Sequence, residues 1–379
     1  MRIFENLNFD FLGKRKLFYI ISTSLFLIGV INVVLRGLNF GIDFKGGTEI
    51  VLQFQKTIDI AEVRNSLENI GLGNIEVKTF GGETGVLIRT EIQQIPADIY
   101  PRVISNIQTA IDTIMPGLER EIIDSAAGSV TFALPNPDTT DILVEELFAA
   151  GFQTGEISEE PSNNLMVVSV GISDWIKENI SEKFADNPFT VLKEDVVGPK
   201  VGSELKQDAV VAIIFSLIVI LIYLGFRFKF VFALGAVAAL FHDVLITLGL
   251  YAALYDVIPG LNLEIDLTVV AAFLTLIGYS INDTVIVFDR VRENMKIHKT
   301  MSLIEVINKS INKTMSRTVL TGGTTLLTIF VLLLLGGEVL RAFAFTLFFG
   351  IIIGTYSSIF VASAFVLEYA NRSKKKVQF

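Results

Sequence analysis

The sequence predicts an α-helical polytopic membrane protein of six spans, with one large α+β domain between the first and second spans. Three observations predict it. Apolar residues make up 51% of the 379-residue chain and gather into runs of roughly 20, the length a helix needs to cross about 30 Å of hydrocarbon. A polar stretch of ordinary globular composition separates the first run from the other five. Lys and Arg concentrate in alternate connections, as the positive-inside rule describes.

The first run, 17–36, follows Arg2, Lys14, Arg15 and Lys16. It is longer than the h-region of a cleaved signal and lacks a clear small-x-small site after it, so it reads as a retained span. The others are 208–226, 230–254, 266–289, 318–337 and 341–369, a five-helix region within 208–369. Arg227 and Lys229 lie between the second and third runs. Arg290, Arg292, Lys296, Lys299, Lys309 and Lys313 lie between the fourth and fifth, and Arg372, Lys374, Lys375 and Lys376 stand in the tail 370–379. The connection 255–265 has neither Lys nor Arg. Both termini (1–16 and 370–379) are thus expected in the cytoplasm, with the chain multi-pass in the membrane. The domain 37–207, with 27 Asp and Glu against 12 Lys and Arg, is expected on the outside. The basic loops read as topology signals, which argues against a nucleic-acid partner.

Within the outer domain, Thr48–Gln55, Ile75–Phe80 and Gly85–Thr90 have strand character, while Ile60–Ile70 and Ala97–Met115 have helical spacing. The order β-α-β-β-α then recurs: Ser129–Leu134, Thr139–Ala150, Phe152–Ser158, Leu165–Val170 and Ser173–Phe184, followed by a strand at Phe189–Val197. Two ferredoxin-like units in tandem, about 47–117 and 118–197, account for this order. One irregular α+β domain is the alternative. In the cytoplasmic loop, Ser302-x-x-Glu305 is a capping box before Ile304, Ile307 and Ile311. It predicts an amphipathic helix on the inner membrane face.

The chain has no cysteine, which excludes a disulfide scaffold, thiol catalysis and Cys-based metal sites. With only two histidines, His242 and His298, a metal site is not expected. Gly41-Ile-Asp-Phe-Lys-Gly-Gly-Thr48 and Val197-Gly-Pro-Lys-Val-Gly-Ser203 both lack the P-loop spacing. They read as tight turns between membrane helices and the outer domain.

The polar residues inside the spans carry the functional signal. Asp283 lies deep in the fourth run, where a carboxylate costs roughly 2.5–3.5 kcal/mol on insertion scales. Asn282, Thr284 and Asp289 flank it, and Arg317 opens the fifth span. Asp283 with Arg317 reads either as a proton relay or as a static buried ion pair. His242–Asp243 in the third span reads either as a relay or as helix-packing hydrogen bonds. Gly350-x-x-x-Gly354 in the sixth span reads as close helix packing.

Taken in order, several segments resemble the SecD/SecF family of the resistance-nodulation-division superfamily. They are Gly41 to Thr48, Val197 to Gly202, His242-Asp243, Gly278 to Asn294, Ser316-Arg-Thr-Val-Leu-Thr321 and Gly354-Thr-Tyr-Ser-Ser358. The resemblance implies a non-enzymatic subunit of the bacterial protein-export machinery, half of a twelve-span unit. It implies SecD as partner, with the SecYEG channel, YajC, the bilayer and a translocating unfolded polypeptide as further partners. It implies no cofactor, the proton gradient being the energy source. The proton pathway then falls on Asp283, Arg317, Asn282, Asp243 and His242. The structural motifs fall on Gly41, Asp43, Gly46, Gly47, Gly198, Pro199, Gly202 and Gly354. A superfamily half-transporter moving lipids or small molecules is the alternative. The stretch 118–190 exceeds the single ferredoxin-like unit associated with the family.

Overall fold

The computed structural model describes residues 7–373 apart from 69, 71–74, 93–94, 97, 127, 150–151, 158–163, 256, 259–260 and 262. It divides into a helical unit (residues 1–43 and 204–379) and an α/β unit (residues 44–203). In chain order the elements are α1 (Arg15–Arg36), α2 (Ile42–Lys45), β1 (Gly47–Phe54), α3 (Ile60–Glu68), β2 (Ile75–Thr79), β3 (Gly85–Thr90) and α4 (Tyr100–Ile114). There follow β4 (Glu121–Ala126), β5 (Ser129–Ala133), α5 (Pro137–Ala149), β6 (Gln153–Ile157), β7 (Leu165–Ser169), α6 (Ile172–Lys183) and β8 (Phe189–Val197). The chain closes with α7 (Pro199–Arg227), α8 (Phe230–Leu254), α9 (Leu267–Ile297), α10 (Leu303–Leu335), α11 (Gly337–Ser357) and, after a π-helical turn at Ser358–Ala362, α12 (Ser363–Ser373).

Among the described residues, six helical stretches are long and apolar enough to cross a bilayer. They sort into two sets. In α8, α9 and α11–α12, 56%, 44% and 67% of the most apolar window is buried inside the protein. In α1, α7 and α10 the shares are 6%, 11% and 17%. The first set is the interior of the bundle, and the second presents its side chains outward, as lipid-facing helices do. Two boundaries differ from the sequence expectation. The amphipathic helix begun by Ser302 does not stop before the fifth span: α10 is one helix of 33 residues. No Pro or Gly interrupts the sequence from Leu303 to Thr321, so nothing breaks the hydrogen-bond ladder. Its capping box forms as expected, the Ser302 N–H donating to Glu305 Oε2 at 2.9 Å. The sixth span is interrupted by the π turn, where Ser363 Oγ–H reaches back five residues to the Ser358 carbonyl at 3.0 Å.

The α/β unit holds two four-stranded antiparallel sheets, with orders β2-β3-β1-β8 and β4-β5-β7-β6. They are nested. β8, expected to close the second unit, pairs with β1 along Gly47–Phe54, and α6 packs beside α3 and over β1. The first sheet is therefore a β-α-β-β-α-β unit interrupted between β3 and α6. The interruption, α4-β4-β5-α5-β6-β7, has the same arrangement entered at its second helix, with α4 packed on α5. Its fourth strand is β4, which sequence periodicity missed. A register shift between Ile122 and Asp124 breaks the alternation there and leaves Ile123 exposed. Both sheets share one apolar core, to which α4 contributes Val103, Ile107 and Ile111 at helical spacing.

The face of the first sheet away from that core carries a buried ion network. Arg89 bonds Glu49, directly opposite it on β1, and lies against Glu76 at 3.3 Å. Lys193 Nζ reaches Glu49 Oε1 at 3.0 Å. Burial pushes the Glu49 carboxyl up, but Arg89 and Lys193 outweigh it and hold the group below the usual carboxylate range. Burial pushes the Lys193 ammonium down, but Asp195 and Glu49 outweigh it and hold the group above its usual value.

Candidate functional site

The site lies where α8, α9 and α11 meet. Asp243 is 1% exposed. Its Oδ2 accepts from Ser280 Oγ–H on α9 at 2.7 Å and from Ser357 Oγ–H on α11 at 2.9 Å. Its Oδ1 lies 3.0 Å from His242 Nδ1. Gly354 makes this approach possible, since a Cβ there would press on the Ser280 side chain and stand 3.5 Å from Asp243 Oδ2. The Gly350–Gly354 pair is thus a packing surface, and what it packs against includes a carboxylate and its donor.

The hydrogen bonds continue outward from His242. Its Nε2 lies 3.1 Å from Ser22 Oγ on α1, and Ser22 Oγ lies 2.7 Å from the Tyr356 hydroxyl on α11. Tyr356 in turn donates to the Phe18 carbonyl at 2.8 Å. Sequence reasoning missed Ser22 and Tyr356. Neither is unusual in a span, and only helix packing brings them to His242.

Asp283, 6% exposed, forms the second carboxylate centre. Thr355 Oγ1–H donates to its Oδ2 at 3.3 Å, and the Thr318 hydroxyl of α10 bonds to it as well. Thr355 and Ser357 stand two residues apart on α11, so one turn of that helix, just before the π turn, touches both carboxylates. Arg317 is exposed and makes no ion pair with Asp283, although its charge bears on the carboxylate. The reason is helical: Thr318 takes the inward position, and Arg317 lies one residue round. Asn282 is likewise exposed, on the opposite side of α9 from the bundle interior. The structure therefore brings together Asp243 with His242 and places Asp283 close by, while Asn282 lies apart. Among the described residues, two buried hydroxyls in the same region, Thr247 and Thr284, find no hydrogen-bond partner.

The glycine motifs hold chain geometry. Gly41 N–H donates to the Ile265 carbonyl at 2.8 Å, and Asp43 Oδ2 accepts from the Leu267 N–H at 2.9 Å, capping α9 from another segment. Gly46 and Gly47 have φ of 77° and 125°. A Cβ on Gly47 would lie 2.3 Å from the Thr90 carbonyl oxygen, so glycine is required where the chain enters β1. Pro199 opens α7, as proline does at a first helical position, and Gly202 N–H bonds the Gly198 carbonyl at 2.9 Å.

Six membrane-length helices with two buried carboxylates among them, in one chain with an α/β unit of two antiparallel sheets, define a polytopic membrane protein with a large folded domain outside its spans. Residues 176–372 match the family Protein export membrane protein SecD/SecF, C-terminal, and residues 33–58 match the SecD/SecF GG Motif, around Gly46-Gly47. Protein translocase subunit SecF of Rhodothermus marinus is 39% identical over 373 residues, 98% of this chain and 97% of the relative. That of Calditerrivibrio nitroreducens is 37% identical over 371 residues, 97% and 96% of the two chains. The crystal structure of SecDF, a translocon-associated membrane protein from Thermus thermophilus, is 30% identical with a TM-score of 0.63, covering 98% of this chain and 40% of that one. The chain belongs to the SecD/SecF family, and its full-length relatives are SecF subunits. Because those relatives align almost end to end, the second α/β unit is not an addition peculiar to this chain.

Proposed function

We propose that this chain is the SecF subunit of the Sec protein-export machinery, a non-enzymatic partner of SecD. In this reading it draws on the proton gradient to promote movement of unfolded chains through the SecYEG channel, with YajC as a further partner. The α/β unit faces the outside of the cell and the termini the cytoplasm. The Thermus SecDF chain, of which this chain matches 40%, supports a second half supplied by SecD. The full-length relatives are translocase subunits, which favours protein export over a lipid or small-molecule half-transporter.

The observation that carries the proton reading is the placing of Asp283. It is a carboxylate in the bundle interior, held by two threonine hydroxyls and by no fixed cation. A permanently ionised group there would call for a bound counter-charge. A group that takes and gives a proton needs only neutral hydroxyls and a cation near enough to bias it. Arg317 supplies that bias without locking the carboxylate in a pair. One charge crossing 100 mV releases about 2.3 kcal/mol, enough to drive a rearrangement of helices.

Asp283→Asn keeps the shape and cannot titrate. The test is export into inverted membrane vesicles containing SecD and the channel, with and without an imposed proton gradient. The variant is expected to assemble with SecD and to lose the stimulation by the gradient. A full response to the gradient by Asp283→Asn would make Asp283 structural and move the search to Asp243 or to SecD.

A further inference from the structure

The hydrogen-bond chain from Asp243 to Phe18 has a direction, and that direction fixes a proton. A peptide carbonyl can only accept, so the Tyr356 hydroxyl spends its one hydrogen on Phe18. Ser22 must then donate to the Tyr356 oxygen across their 2.7 Å contact. With its own hydrogen used, Ser22 can only accept from His242, so Nε2 carries a hydrogen. The remaining contact, His242 Nδ1 with Asp243 Oδ1 at 3.0 Å, needs one proton between the two atoms. It sits either on the carboxyl, facing a neutral imidazole, or on Nδ1, facing a carboxylate. A bare Nδ1 lone pair against an ionised Oδ1 would repel. The other carboxylate oxygen is committed to Ser280 and Ser357. In the state seen here the pair therefore holds one exchangeable proton and has no net charge.

We propose that Asp243 and His242 form a proton-holding site distinct from Asp283, and that α1 reads its state through Ser22 and Tyr356. The balanced step is as follows. The Nε2 hydrogen passes to Ser22 Oγ, the Ser22 hydrogen passes to the Tyr356 oxygen, and the Tyr356 hydrogen passes to a water or hydroxide that displaces the Phe18 carbonyl as its acceptor. The last proton of the pair settles on Nδ1, facing a carboxylate, and the pair becomes −1. Afterwards Tyr356 donates to Ser22 and Ser22 donates to Nε2. Every hydroxyl in the chain has reversed, and the Tyr356 bond to Phe18 is gone. Loss of the proton thus removes one part of the tether between α11 and α1, the Tyr356–Phe18 bond, and keeps the other, Tyr356–Ser22, with its direction reversed. The tether lies on the turn before the π-helical segment, where Tyr356 also packs against Phe18 and Phe360 with ring centroids at 5.6 and 5.5 Å.

The surroundings isolate the pair. From α1 it faces Ser22, from α9 Ser280, and from α11 Ser357 and Tyr356, of which Tyr356 alone is titratable. Asp283 faces Thr355 and Thr318. Glu368 on α12 is held by Arg15 at 3.0 Å. The use made of the switch rests on the proton-driven reading above; its existence does not.

The chain has two histidines, so the full-length protein labelled with 15N-histidine, in lipid nanodiscs, gives two imidazole signals. A His298→Gln sample identifies that of His242. Nitrogen shifts distinguish the two neutral tautomers from the cation. His242 is expected to carry a hydrogen on Nε2 at the acid end of a titration from about pH 5 to 9, and on Nδ1 alone at the alkaline end. Tyr356→Phe removes the bond that the deprotonated state must give up. It should move the midpoint of this change about half a unit to one unit lower. In a Ser22→Ala background, where the chain is already cut, Tyr356→Phe should leave the midpoint where it is. Hydrogen on Nδ1 alone throughout the titration would overturn the proton-holding site. An unmoved midpoint in Tyr356→Phe would overturn the reading by α1. Neither measurement involves export, so the switch can stand if the export reading fails, and the reverse.

Discussion

Gly354 and Ser280 pack so closely that a Cβ on the glycine would lie 2.9 Å from the serine Cβ and 2.8 Å from the Oγ that donates to Asp243. A methyl group at position 354 must displace either α11 or the Asp243 donor. Gly354→Ala is expected to cost about 1–3 kcal/mol, the usual range for overpacking, read as a lower melting temperature in detergent. Adding Ser280→Gly should recover the packing while leaving Asp243 one donor short. If the single substitution leaves the melting temperature unchanged, the helices are less closely packed than this contact requires.

The nested sheets distinguish two deletions. Removing 118–190 takes away α6, the helix packed on α3 and β1, and the first two residues of β8, so the β1–β8 pairing also loses its Gln53–Phe54 end. The first sheet should not survive, and residues 44–117 should be rapidly degraded in limited proteolysis. Removing 98–170 and bridging the ends with a short flexible linker leaves β1, α3, β2, β3, α6 and β8 in place. That variant should keep a protease-resistant first sheet with reduced thermal stability, because α4 leaves the shared core. Equal sensitivity of the two deletions would contradict the nested connectivity.

The Glu49 network sets a pH dependence. Glu49 is held below its ordinary value, so its stabilisation is complete above the unfolded pKa of about 4.3 and is lost as pH falls through the lower folded value. Lys193 is held above its ordinary value. Its stabilisation is complete below about 10.4 and is lost only as pH rises through the higher folded value. Neutral pH therefore falls inside both windows. Glu49→Gln leaves Arg89 buried without its main partner and should cost about 3–5 kcal/mol near pH 7. The difference from the parent should narrow in acid. Thermal proteolysis of the α/β unit in the full chain at pH 7 and pH 4 measures both effects.

Arg317 tests the biasing role of an unpaired cation. Arg317→Lys keeps the charge but replaces the planar, delocalised guanidinium with a compact point charge. Gradient-stimulated export should fall, with insertion and SecD assembly unchanged. Arg317→Lys export equal to that of the parent would show that any cation suffices.

Orientation can be read by thiol labelling, because the chain has no cysteine. Asp141→Cys on exposed α5 should react with an impermeant maleimide added to intact spheroplasts. Lys296→Cys, also exposed, should react only after lysis. Labelling of Lys296→Cys in intact cells would invert the topology.

The sequence alone determined the number of membrane helices, because each is a local run whose apolar length decides its fate. It also determined the capping box at Ser302, the strands β1, β2, β3, β5, β6 and β7, and the candidacy of Asp243 and Asp283, because a carboxylate in a hydrocarbon-length run stands out at once. Tertiary structure decided what these groups touch. β8 pairs with β1 about 140 residues away in sequence, and short-range periodicity cannot register a partner at that separation. Ser22, Tyr356 and His242 come from three helices. Hydroxyls are cheap in a span and signal nothing until packing aims them at one another. Arg317 and Thr318 differ by one residue, and only the rotation of α10 about its axis decides which of them meets Asp283.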